Sequence, residues 1–346
     1  MKNLKLIGFL VIFASSLTFI QCTSDPIMGP QGISGIDGTD GIDGVNGVNG
    51  VDGTASCVAC HNNSHREPIN ESYAMSGHAA GGAVGYAGGR NGCAQCHSNE
   101  GYLDYLNTGA TNPDGYTGQG PVSCMTCHDQ HSTFDFENDG HDFALRSIDA
   151  EVLYYDGITV LDFEGTSNNC IACHQPRNSY VIPAGSDPYE ITSKRFGPHH
   201  GPQSTVLEGI LTANIPGSVG YPGSGANGDN THRTGSSCVS CHMGASTDPN
   251  TGMHSFWVTE DSCTACHTNG APAEVTDFTA DMATLKQLLM DKGLLLEDNY
   301  LIPGTYPNIE AQAAWNYRTL LEDKSHGVHN PKLSKALLKN SIEALQ

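Results

Sequence analysis

Apolar positions along this 346-residue chain fall into very uneven groups. Leu6 to Ile20 is a continuous apolar run behind Lys2 and Lys5, too short for a comfortable membrane span. No other stretch is long and apolar enough to cross a bilayer. Helical spacing is confined to the C-terminal part. Asp277 to Lys292 places Leu285, Leu288 and Leu289 on one side, with Gly293 as a stop. Ile309 to Glu322 predicts a second helix. Pro331 to Leu345 predicts a third, N-capped by Asn330 and faced by Leu333, Leu337, Leu338 and Ile342. Between these ends the chain has no sustained period. Segments such as 107–120 and 217–230 are rich in Gly, Asn, Asp, Pro and Ser, and read as loops.

Glycine recurs at every third position from Gly29 through Gly53. This Gly-X-Y run is collagen-like, since only glycine fits at the axis of a triple helix. Pro30 is its one proline, and Asp40, Asp43 and Asp52 lack nearby cations. An extended spacer is therefore favoured over a trimeric stalk. It could reach on the order of 75 Å at about 3 Å per residue.

Six pentapeptides punctuate the irregular region, each Cys-x-x-Cys-His. They begin at Cys57, Cys93, Cys124, Cys170, Cys238 and Cys263. Their second cysteines are Cys60, Cys96, Cys127, Cys173, Cys241 and Cys266. The histidines that follow are His61, His97, His128, His174, His242 and His267. This is the attachment pattern of c-type haem. Two thiols three residues apart reach one porphyrin edge, and the next residue lies under the iron as proximal ligand. A single match could be a zinc half-site or a redox disulfide. Six, each with His in the same place, predict six haem c groups. Of thirteen cysteines only Cys22 is left over.

Composition fits this picture. Glycine is abundant at 41 residues, and the apolar share is low for the length. A polypeptide core alone looks weak, so the expected fold is a multihaem cytochrome. It is mostly irregular loops with short α-helices wrapped round a haem core, closed by C-terminal helices, with little or no β structure. Lys plus Arg number 16 against 37 Asp plus Glu, a formal net charge of −21. That excludes nucleic acid as a partner and suits a basic redox partner or a cationic or mineral acceptor.

Residues 1–21 read as a signal peptide, and Cys22 resembles the lipidated cysteine of a bacterial lipoprotein. Gln21 and Phe19 depart from the usual residues there. Residues 22–56 would be the anchored N-terminus with its spacer, 57–346 the hexahaem domain, and 277–346 its helical tail. The expected location is the outer membrane, on the cell surface or the periplasmic face, with plain secretion as the alternative. The membrane would be met only through the lipid.

Ten histidines lie outside the motifs: His65, His78, His131, His141, His199, His200, His232, His254, His326 and His329. Several sit in stretches that resemble the multihaem c-type cytochromes of extracytoplasmic electron transfer. These are Ser76-Gly77-His78-Ala79, Cys127-His128-Asp129-Gln130-His131, Gly197-Pro198-His199-His200-Gly201-Pro202-Gln203 and Thr231-His232. Gly252-Met253-His254-Ser255-Phe256 and Ser325-His326-Gly327-Val328-His329-Asn330-Pro331 complete the set. The resemblance covers about residues 57–346. It implies distal ligands His78, His131, His199, His232, His254 and His329, with His200 and His326 as rivals. His131 lies too near a proximal His to cap the same iron, so it should serve a neighbouring one. His65 and His141 are the expected non-ligands. Met243 or Met253 as a ligand would raise the potential.

The resemblance further implies an electron carrier with mostly or all bis-His, low-spin haems. Its partners would be other redox proteins or extracellular acceptors. Self-association could run through the Gly-X-Y spacer or end-to-end haem contacts. The alternative is a multihaem reductase of nitrite, hydroxylamine or a sulfur oxyanion with one open haem, where Arg177, Arg195 and Tyr180 could line an anion site. No Cys-x-x-Cys-Lys variant of the motif occurs here. A scaffold with haems as cargo is the third reading.

Overall fold

The computed structural model describes residues 55–132 and 143–346. The signal peptide, Cys22, the Gly-X-Y spacer and His141 lie outside the described residues.

Short helices dominate from Ala55 onward. They are α1 (Ala55–Cys60), α2 (Asn63–Ala74), α3 (Gly77–Ala80), α4 (Asn91–His97), α5 (Asn99–Thr108), α6 (Cys124–Cys127) and α7 (Asn168–Ile171). There follow α8 (Gln203–Glu208), α9 (Thr231–Gly235), α10 (Cys238–His242) and α11 (Glu260–Thr264). Most begin at a Ser, Thr or Asn whose side chain takes up a free N–H of the first turn. Asn62 accepts from His65 N at 2.9 Å and Ser76 from Ala79 N at 3.0 Å. Such caps let very short helices stand where propagation alone would not. Among the described residues, strands are limited to two antiparallel pairs. β1 (Glu151–Val152) pairs with β2 (Val160–Leu161), and β3 (Tyr189–Ile191) with β4 (Gly304–Tyr306).

Three longer helices close the chain: α12 (Phe278–Asp291), α13 (Asn308–Asp323) and α14 (Pro331–Leu345). They pack on one another around Leu285, Leu289, Trp315, Leu320, Leu333 and Leu337, all buried. Fully burying one such leucine contributes about 1.5–3 kcal/mol. The expectation of a weak polypeptide core is therefore corrected for this end of the molecule, which has an apolar core of its own. A smaller cluster joins Leu153, Leu161, Phe163, Ile171 and Leu207.

Buried asparagines tie the irregular segments to these helices. Asn316 of α13 donates to Ala213 O at 2.8 Å and accepts from Ala213 N at 3.0 Å. Asn340 of α14 does the same for Ile215 O, Val219 O and Val219 N. Asn230 reaches Leu207 O and His329 O. An amide carries both a donor and an acceptor, so it can stand in for a missing sheet partner. Close approach does the rest at α4 and α5, where a Cβ on Gly101 would lie 2.4 Å from the Ala94 carbonyl. No helix among the described residues is long and apolar enough to cross a membrane.

Candidate functional site

Each pentapeptide is a single helical turn. The histidine N–H closes onto the carbonyl of the first cysteine, at 2.8 Å for His61 and His267, 2.9 Å for His128 and 3.0 Å for His174. His97 and His242 end α4 and α10. Positions i, i+3 and i+4 of a helix share one face, so both thiols and the imidazole point the same way. Two turns are fixed further by a reciprocal hydroxyl. Ser123 N donates to Thr126 Oγ1 and Ser237 N to Ser240 Oγ, both at 2.7 Å.

The motif histidines are opposed by others from distant parts of the chain. Ring centres of His61 and His131 are 6.0 Å apart, and those of His232 and His267 are 6.1 Å apart. The pairs His78 with His174, His128 with His254, and His242 with His329 all stand at 6.2 Å. Two imidazoles trans on one metal, each bonded at about 2 Å with about 1 Å more to the ring centre, stand about 6 Å apart. His97 shares its surroundings with His199, His200 and Arg177. The rings of His199 and His200 are themselves 4.5 Å apart, and both residues have positive φ. Among the described residues no group of three or more His, Cys, Asp or Glu converges as a zinc site requires. No two of the twelve motif cysteines are joined as a disulfide.

Comparison with known proteins follows the same line. No family profile matches the chain. A C-type polyheme cytochrome, OmcC of Geobacter sulfurreducens, is 23% identical over 73% of this chain and 42% of its own length. The crystal structure of the outer cell wall cytochrome OcwA superposes with a TM-score of 0.53 at 22% identity, over 80% of this chain and 50% of that one. The chain has the fold of a multihaem c-type cytochrome. An undecaheme cytochrome from the S-layer of Carboxydothermus ferrireducens aligns at 19% identity and a TM-score of 0.44, over 74% of this chain and 38% of that one. The chain thus spans about half the length, or less, of these relatives.

Haem c is the group such a cytochrome holds, and the residues present fit it. Donors come as opposed imidazoles rather than tetrahedral sets, each motif histidine beside two cysteines of its own turn. Val58 and Met125 inside motifs, and Trp257 shortly before one, stand exposed, as apolar side chains do where a flat apolar group is to cover them. Burial holds the imidazoles of His78, His97, His242 and His254 below their ordinary range. Burial, then neighbouring imidazoles, takes His174 and His199 down to about 4. Neutral imidazole is the form that binds a metal. For His329, burial pushes down but Asp323 outweighs it, so the ring is raised.

Ring orientation is set through Nδ1. His128 bonds Phe143 O at 2.7 Å, His242 bonds Phe256 O at 2.8 Å and His232 bonds Val328 O at 2.5 Å. His174 meets Gln203 Oε1 at 3.4 Å. His200 and His329 instead meet carboxylates, Glu322 Oε2 at 2.8 Å and Asp323 Oδ1 at 2.7 Å. Burial alone would raise Glu322, but His200 and the Arg318 cation outweigh it and hold it below the usual carboxylate range. Phe256, in a left-handed conformation, lies 4.7 Å from the His78 ring and 5.8 Å from that of His254. The sequence does not mark Glu322, Asp323, Gln203 or Phe256 as site residues, and only Gln203 and Phe256 lie in stretches that carry a signal, near His200 and His254.

The motifs also touch each other. Cys96 Sγ lies 3.8 Å from Ala172 O and Cys173 Sγ 3.5 Å from Gln95 O, while Cys238 packs against the cluster that holds Ile171. Gln95 Nε2 donates to Ala172 O at 3.0 Å across the same contact. The fourth motif therefore sits between the second and the fifth. His326 stacks on Phe278 and lies 4.0 Å from Glu274, away from this arrangement of pairs. His65 is exposed on α2. Met243 caps α10, and Met253 opens the turn that carries His254. Arg195 bonds Tyr86 and Tyr180 packs on Phe196, while Arg177 lies 3.8 Å from Cys93 Sγ.

Proposed function

We propose that the chain is an electron-transfer protein with six covalently attached haem c groups, each held between two imidazoles. Electrons would pass from one to the next toward an extracytoplasmic or extracellular acceptor or a partner cytochrome. The observation that carries this is the set of five imidazole pairs at 6.0–6.2 Å. When bound, haem supplies one-electron chemistry, with a potential set by its axial ligands and their hydrogen bonds.

The residues divide the remaining work. The twelve motif cysteines attach the six groups, and His61, His97, His128, His174, His242 and His267 are the proximal ligands. His131, His254, His78, His329 and His232 are the distal ligands facing His61, His128, His174, His242 and His267. Opposite His97 we take His200 over His199, because its Nδ1 has the fixed acceptor that ligating imidazoles almost always keep. Contacts of the fourth motif with the second and fifth would bring three attachment points together. Two imidazoles beside His97 argue against an open face there, so a reductase is not favoured. The N-terminal segment would supply export, a lipid on Cys22 and a spacer that carries the haem region outward.

Intact-mass measurement of the purified protein tests the count, with six covalently added haems expected. Ferric electron paramagnetic resonance tests the ligation, with low-spin signals accounting for all iron. Fewer than six haems, or a stoichiometric high-spin signal, would overturn the proposal.

A further inference from the structure

One helix end supplies carboxylates to two imidazoles, where His128, His232 and His242 meet main-chain carbonyls. At the C-terminus of α13, Glu322 accepts from His200 and Asp323 from His329. The Asp323 side chain is fully buried and the Glu322 side chain 9% exposed. Each carboxylate is itself held, Glu322 by Arg318 and Asp323 by Ser325 Oγ. Gln203 Nε2 ties down the carbonyls of both residues, at 3.0 Å and 3.3 Å, while its Oε1 faces His174. His128, His232 and His242 meet the neutral carbonyls of Phe143, Val328 and Phe256.

That difference has a direction. An imidazole whose N–H meets an anion becomes a more basic ligand, and a more basic ligand favours the more positively charged metal. We infer that Glu322 and Asp323 are positioning residues that lower the reduction potentials of the haems attached at Cys93/Cys96 and Cys238/Cys241, relative to those attached at Cys124/Cys127 and Cys263/Cys266. The inference rests on the ligation reading above. It gives the chain two classes of site fixed by acceptor type, with the motif between them held through Gln203.

The experiment is an optical redox titration of the full haem-loaded protein, run beside ferric paramagnetic resonance. Asp323→Asn and Glu322→Gln keep shape and remove charge. Each should raise the midpoint of one haem, so that at fixed potential its oxidised-to-reduced ratio falls about tenfold, or 59 mV for one electron. All six haems should stay low-spin, and the two shifts should add in the double variant. Ser325→Ala removes a donor from Asp323 and leaves the carboxylate more charge to give. It should move one midpoint the opposite way, which a merely structural role would not do. Unmoved midpoints in both charge-removing variants would overturn the inference. So would a new high-spin signal in them, because the carboxylates would then only hold the rings in place. His329→Ala separates the two levels. If it creates one high-spin haem while Asp323→Asn changes nothing, the inference fails and the ligation reading stands. If it leaves every haem low-spin, the ligation reading fails first.

Discussion

Replacing His78 with alanine gives the sharpest test of long-range ligand exchange. His78 is on α3, 96 residues before the His174 it faces, with their ring centres 6.2 Å apart. Its ring also meets the edge of Phe256 at 4.7 Å. Removal should free one axial position in six and leave the others untouched. Carbon monoxide should then bind the reduced protein at one equivalent per chain, against none for the parent. The ferric protein should show one high-spin haem. The lost aromatic edge contact accounts for about 0.5–1.5 kcal/mol. With the space left by a largely buried ring, the total loss of stability should be about 2–4 kcal/mol. Added free imidazole should return the haem to low spin. The reasoning is refuted if the variant binds no carbon monoxide and stays wholly low-spin, or if the parent already binds an equivalent.

Three further outcomes follow from the scaffold. Asn316→Ala strips both partners from the buried main chain of Ala213 and should cost about 2–4 kcal/mol, read as an earlier thermal unfolding with an unchanged haem spectrum. Gly101→Ala forces a methyl group against the Ala94 carbonyl and should destabilise by about 1–3 kcal/mol, most visibly as faster proteolysis near α4. Burial raises the Glu151 carboxyl despite the hydrogen bond from Tyr105, so the folded state favours its protonated form. The stability this gives is present below the unfolded carboxylate range and is lost as pH rises through the folded value. Glu151→Gln should therefore unfold later than the parent at pH 8 but not at pH 4, and equal offsets at both pH values would refute this.

The six Cys-x-x-Cys-His turns were legible because their pattern is local. Two thiols and an imidazole on one helical turn are fixed by spacing alone, and Pro331 to Leu345 was equally plain from its apolar face. The pairing of histidines was not local. Nothing in the chain order says that His78 meets His174 rather than His128, since that depends on how loops fold back. The acceptors were less visible still. Glu322 and Asp323 sit at the end of an amphipathic helix, where acidic residues ordinarily face water. Only the packing of Gln203, His200 and His329 against that end turns them inward. The low apolar share concealed the C-terminal core for a related reason. It averages a glycine-rich loop region with three helices that are well supplied with leucine.

The nearness of Cys96 to the fourth motif, and of Cys238 to Ile171 within it, bears on how the protein is made. In an oxidising compartment thiols of adjoining turns are ready substrates for disulfide formation. A chain that folded before its cofactors were joined would cross-link the second motif to the fourth and the fourth to the fifth. Those turns would then be closed to further chemistry. On the function proposed above, haem attachment has to outrun folding during biogenesis. Chain produced without the attachment machinery should migrate on non-reducing gels as cross-linked species that Cys173→Ser and Cys170→Ser remove, and an apoprotein with all its thiols free under oxidising conditions would contradict this order of events.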